Sequence, residues 1–268
     1  MVGDAVAAGA PVIADPGGPF KTDSGLAFDS GVVLRGRVCF CTMAVHPPYR
    51  ERARTLIQGS LPAPWVVLTD GPDDFADLPV RTIRHQPTGP MAVDYLQRGI
   101  VTGDSEGAAA YHDKRFALQA ALERCQTAIF LDADSRVSSL PPVLRYPAGL
   151  VVLPVVRNTI AGHLRTCGAW RLPDFVALAR ELTGDGSILD RARWCHEACY
   201  AVTRDGRESA FFEAWDRGAT FMQARGMFSG EGGVMGLAAA IAGWDVEDTL
   251  LTTWADTITH EGRGPKPA

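Results

Sequence analysis

The chain has 268 residues, of which 46% are apolar, and a formal net charge of −5 with both signs dispersed along it. That is enough for one large α/β domain around a sizeable core, and it supplies neither the basic face that nucleic acid requires nor a polybasic arm for anionic lipid. No apolar stretch reaches the length of a membrane span, and no charged start followed by an apolar run opens the chain, so the sequence predicts a cytoplasmic protein.

In chain order, residues 1–30 are rich in Gly, Ala, Pro and Asp without sustained periodicity and read as a flexible or loosely packed arm. The apolar run from Arg37 to Val45 suits a central strand. Pro47 and Pro48 then open a helix that reads through Arg50 to Gln58, since proline is accepted in a first helical turn. A second strand is expected at Trp65–Thr69, closed by the turn signal Asp70-Gly71-Pro72, and a third at Val80–Arg84. This alternation predicts a mostly parallel sheet flanked by helices. From Gln86 to Ala110 the chain is Gly- and Pro-rich with weak periodicity, a length that suits a functional loop.

A helical pattern at Tyr111–Leu122 leads into the most informative segment, Ala128 to Val137. There an apolar strand runs into Asp132-Ala133-Asp134. Open α/β sheets bind ligands at the carboxyl ends of their strands. Two carboxylates at such an end suit Mg²⁺ or Mn²⁺, hard cations that take oxygen ligands and complete their shell with water and substrate phosphate. A turn in which Asp132 caps backbone amides is the competing explanation. Beyond it, Gly149–Val156 reads as a strand, and Pro173–Thr183 as an amphipathic helix with Phe175, Leu178, Ala179 and Leu182 on one face. Further helices are expected from Glu208 through Trp215 and from Glu231 to Ala242.

The strand ending in Asp132-Ala133-Asp134, preceded by the helix that carries Lys114 and Arg115, resembles the core of glycosyltransferases with the GT-A fold. The resemblance runs from about Val38 to His260. It implies a Rossmann-like sheet in a single domain over 31–268, with a nucleotide-binding half at about 37–149 and a smaller acceptor half at about 150–268. It also implies a nucleotide-sugar donor (a UDP- or GDP-sugar), a hydroxyl acceptor and Mn²⁺ or Mg²⁺. Asp134 would hold the metal and polarise the leaving diphosphate. Asp132 would contact ribose, sugar or metal-bound water, and His260 is the candidate third ligand. Thr42, Met43 and Ala44 at the first strand's end, with Asp70 at the second, would meet base and ribose. Lys114, Arg115 and His112 are candidates for the diphosphate or the donor sugar's hydroxyls, ordinary solvated helix charge being the plainer reading of the two cations. Glu231, alone among glycines in Ser229-Gly230-Glu231-Gly232-Gly233, is the acceptor-side acid, with helix capping as its rival role, and Glu197 is a second acidic candidate.

One other enzyme family shares parts of this pattern. Phe130 to Ser135 also resembles the opening motif of haloacid-dehalogenase-like phosphatases, and Gly184 to Asp190 mimics their later acidic motif, although at least two strands precede Asp132 here. A non-catalytic sugar-nucleotide or glycan binding module is the second alternative. Asp4 to Pro19 resembles the nucleotide-sugar loop of GT-B glycosyltransferases, a coincidence, because so short an arm cannot supply that fold's two domains. The six cysteines are scattered and read as reduced thiols. His163 with Cys167 and Cys195 with Cys199 would make a structural zinc site only if both pairs lay on adjacent helices.

Overall fold

A computed structural model describes residues 38–60, 63–86, 111–138, 146–153, 158–225, 227, 230–248 and 258–260. The arm at 1–30, the GT-B-like segment within it and the loop at 87–110 lie outside the described residues. The chain alternates at first: β1 (Val38–Ala44), α1 (Pro47–Gly59), β2 (Trp65–Thr69), β3 (Val80–Arg84), α2 (Lys114–Leu122) and β4 (Thr127–Leu131). Then come β5 (Ser135–Val137), β6 (Gly149–Val152), α3 (Ile160–Cys167), α4 (Leu172–Thr183) and β7 (Cys199–Thr203). Two long helices, α5 (Glu208–Gln223) and α6 (Glu231–Ile241), and the short β8 (Ile258–His260) complete it.

Six strands form one sheet in the order β3-β2-β1-β4-β7-β6. The first four in that order are parallel, whereas β7 runs antiparallel to both β4 and β6. This is the mixed α/β sheet flanked by helices that the sequence predicts. β2, β4 and β7 are buried along their whole length, which is why they read as unbroken apolar runs instead of alternating ones. Period-two geometry sorts β1 between two cores: Cys39 and Cys41 face the layer of α2, α4, α5 and α6, while Val38 and Phe40 face the layer of α1.

The structure corrects the sequence reading in two places: the helix begun at Glu208 continues past Trp215 to Gln223, and α3 was not expected. Cys199 lies in a strand, in line with the apolar run from Ala198 to Val202, which counts against zinc in the sequence. Cys195 and Cys199 are therefore not one helical turn apart on a helix, and the geometry required for zinc is not formed. Cys167 is exposed while Cys195 and Cys199 are buried, and among the described residues no group of three or more His, Cys, Asp or Glu side chains is gathered for a metal. Among those residues, too, no helix is long and apolar enough to cross a membrane.

The strand order also fixes where a crevice must open. Successive strands step one way from β1 to β2 to β3, and the chain then returns to place β4 on the other side of β1. Neighbouring connections diverge at that reversal, so the carboxyl ends of β1 and β4 are not covered by a crossover.

Candidate active site

Asp132 emerges from β4 at this reversal. Its amide donates to the Ala198 carbonyl at 2.9 Å, and the Ser135 amide donates to the Asp132 carbonyl at 2.9 Å, closing a turn over 132–135. Ala133 is buried in the turn, and both flanking carboxylates stay partly exposed. The chain then enters β5, which pairs antiparallel with β8 so that the His260 backbone lies opposite Ser135. The strand-end turn thus exists, but the Asp132 carboxylate is directed to a lysine.

That lysine is Lys114, at the start of α2 and only 4% exposed. Its ammonium lies 2.8 Å from Asp132 Oδ1 and 2.9 Å from Glu231 Oε1, and it donates to the Glu197 carbonyl at 3.2 Å. An ammonium has three N–H donors, and here all three have acceptors. The Phe130 and Tyr111 rings lie 5.5 and 5.6 Å from the nitrogen, close enough for cation–π attraction. Burial works against the charge, but Asp132 and Glu231 outweigh it and hold the lysine pKa well above its ordinary value.

One ammonium does not neutralise what surrounds it. Burial, with the charges of Asp134 and Glu231 adding to it, holds the Asp132 carboxyl above the usual carboxylate value despite Lys114. Burial and the Glu231 charge push Glu197 up to about 8. A glutamate with that value carries its proton at neutral pH. Its Oε1 accepts the Gly232 amide at 2.9 Å, in the first turn of α6, where Glu231 also sits. A Cβ at residue 232 would run into the Cys195 carbonyl, so only glycine lets α6 approach this closely. The carboxylates of Asp132 and Glu231 and the backbone carbonyl of Glu197 thus meet around one ammonium, and burial beside these charges favours a proton on the Glu197 carboxyl.

Other predicted residues fall into separate settings. His112 is fully buried, neither ring nitrogen has a hydrogen-bond partner, and burial lowers its pKa to about 4. Arg115 turns away: its guanidinium donates to Asp216 Oδ1 at 2.7 Å and to the His112 carbonyl at 2.8 Å. Thr42 and Ala44 are buried at the end of β1 with the Thr42 hydroxyl unpartnered, and Met43 packs against the core. Asp70 accepts the His46 amide and pairs with Arg50 at 2.6 Å. The phosphatase-like acids Asp185 and Asp190 lie in surface ion pairs with Arg191 and Arg165, not with Asp132.

Two residues at this edge went unnoticed in the sequence. Tyr200 stacks on Phe130 with centroids 5.0 Å apart, and its buried hydroxyl has no partner. His46 has φ 72° and ψ 150°, a conformation that costs a non-glycine residue about 1–3 kcal/mol. The following proline accounts for ψ, and the Asp70 carboxylate on its amide holds the rest.

No family model matches the sequence, and no curated protein matches it. Among solved structures it is similar to mouse xyloside xylosyltransferase 1 in its apo form, at 10% sequence identity and a TM-score of 0.43, over 86% of this chain and 100% of that one.

Proposed function

We propose that the protein is a glycosyltransferase of the GT-A type, which moves a sugar from a UDP- or GDP-sugar to an acceptor hydroxyl with the help of Mn²⁺ or Mg²⁺. The observation that carries this reading is the position of the Asp132–Asp134 turn: it lies at the strand-order reversal, and Lys114 ties it to Glu231. In this reading 37–149 is the donor half and 150–268 the acceptor half of one domain.

The donor set suits a hard cation. Asp134 and the Asp132 oxygen that Lys114 does not hold are carboxylate oxygens, and Mg²⁺ and Mn²⁺ commonly rest on one or two of these plus phosphate; His260, whose backbone pairs opposite Ser135, is the third candidate. When bound, the metal supplies Lewis-acid stabilisation of the departing diphosphate. The chain's own residues do the rest. Thr42, Met43 and Ala44 border the nucleoside, with Asp70 at the neighbouring strand end. Lys114 spaces Asp132 from Glu231 and so sets the donor side against the acceptor side. Glu231 accepts the proton of the attacking hydroxyl, while Glu197 and His112, both neutral at pH 7, keep its surroundings from adding charge.

Incubation with a panel of nucleotide sugars in Mn²⁺ tests the reading. Metal-dependent release of nucleoside diphosphate from one donor is the expected result. Hydrolysis of simple phosphate esters instead would point to the phosphatase, and tight binding without turnover to a non-catalytic module.

A further inference from the structure

Next to the carboxylate cluster lies a cation without a carboxylate partner. Arg171 precedes α4, and its Nη1 would lie 2.8 Å from a Cβ on Gly230, one residue before Glu231. Its charge reaches Glu197 and lowers that residue's pKa against the burial that raises it. Among the described residues its guanidinium makes no ion pair or hydrogen bond, and Nε is buried without an acceptor. Two aromatic rings lie within cation–π range of it, with the Trp170 and Trp194 centroids 5.4 and 6.0 Å away.

His163, on α3, repeats the pattern. Its ring stacks on Trp194 with centroids 3.9 Å apart and planes 16° from parallel, and its Nδ1 is buried without a partner. Burial and the Arg171 charge both hold this imidazole below its ordinary pKa, so neighbouring positive charge is already present with nothing to receive it. Buried polar atoms without partners are uncommon and destabilising, and a guanidinium with an imidazole nitrogen, a donor in its Nδ1–H tautomer, can hold a planar or tetrahedral oxyanion. Glu197, the nearby acid of the cluster, does not cancel the charge at neutral pH because it is protonated there.

We infer that Arg171 and His163, stacked around Trp194, form a subsite for an oxyanion carried by the acceptor, a sugar carboxylate or a sugar phosphate. The identification of the ligand as an acceptor rests on the glycosyltransferase reading; the anion site itself does not.

Calorimetric titration of the full chain with glucuronate, glucose 6-phosphate and uncharged glucose tests the inference, with nucleoside diphosphate plus Mn²⁺ titrated in parallel. One acidic sugar should bind at least about tenfold more tightly than glucose, the scale of a charge-assisted hydrogen bond. Arg171→Gln should erase that preference and leave nucleoside diphosphate affinity as it was. Which acidic sugar is preferred tells carboxylate from phosphate. His163→Phe keeps the stacking and removes the nitrogen, so it should weaken the preference even if Arg171→Gln fails to fold. Acidic sugars that bind no better than glucose, or a preference that survives both substitutions, would overturn the subsite. Loss of nucleoside diphosphate binding alone would count against the donor reading and leave the subsite standing.

Discussion

Lys114 is the residue on which the cluster turns, because two carboxylates depend on its charge. Lys114→Met should cost about 3–5 kcal/mol in chemical denaturation at neutral pH, the scale for breaking a buried ion pair on one side, since it leaves Asp132 and Glu231 uncompensated. A loss under about 1 kcal/mol would mean that the carboxylates simply take up protons. Glu197 gives a second measurement. Its folded pKa of about 8 stands above the ordinary 4.5, so the fold favours the protonated form. Its contribution is complete below 4.5 and is lost as pH rises through about 8. Glu197→Gln should therefore flatten the fall in melting temperature across that interval, and an unchanged pH profile would contradict the assignment. Lys114, Asp132, Glu197 and Glu231 were each legible as chemistry-bearing residues. That one ammonium joins them was not, because Lys114 and Glu197 are 83 positions apart and only the sheet order brings them together. Arg171 and Tyr200 went unread for the same reason: an arginine beside a helix and a tyrosine in an apolar strand look ordinary until their partners are missing.

At the scale of elements, what could be read followed burial. β1, β2 and β4 stand out because covered parallel strands are continuous apolar runs, whereas β3, a partly buried edge strand, mixes apolar and polar residues, and Pro47 and Pro48 mark the start of α1. Direction leaves no such mark, which is why β7, antiparallel to both of its neighbours, could not be told from a parallel strand. α3 carries a signal that was passed over: Thr159 precedes the apolar run and accepts the Gly162 amide as an N-cap. α6 shows how glycine positions the site, for a Cβ at residue 236 would meet the Arg193 carbonyl. Gly236→Ala should destabilise the protein by about 1–3 kcal/mol, the usual cost of overpacking. Gly184→Ala, at φ +75° with open space around it, should cost only about 1 kcal/mol of left-handed strain. Equal losses in thermal denaturation would show that α6 can slide away from the loop before β7.

At the scale of the molecule, the sheet reversal between β1 and β4 brings an acidic turn, a buried lysine and the start of α6 to one edge, which is where the proposed function puts the nucleoside diphosphate and its divalent ion. The central claim is that Asp134 holds the metal through which the diphosphate binds. Calorimetry of UDP and GDP with and without Mn²⁺, on the wild type and on Asp134→Ala, measures this most directly. The substitution is at a partly exposed turn and loses no core packing, so the melting midpoint should hold. The expected result is Mn²⁺-dependent binding of one of the two in the wild type and its loss in the folded variant; binding indifferent to Mn²⁺, or intact in Asp134→Ala, would contradict it.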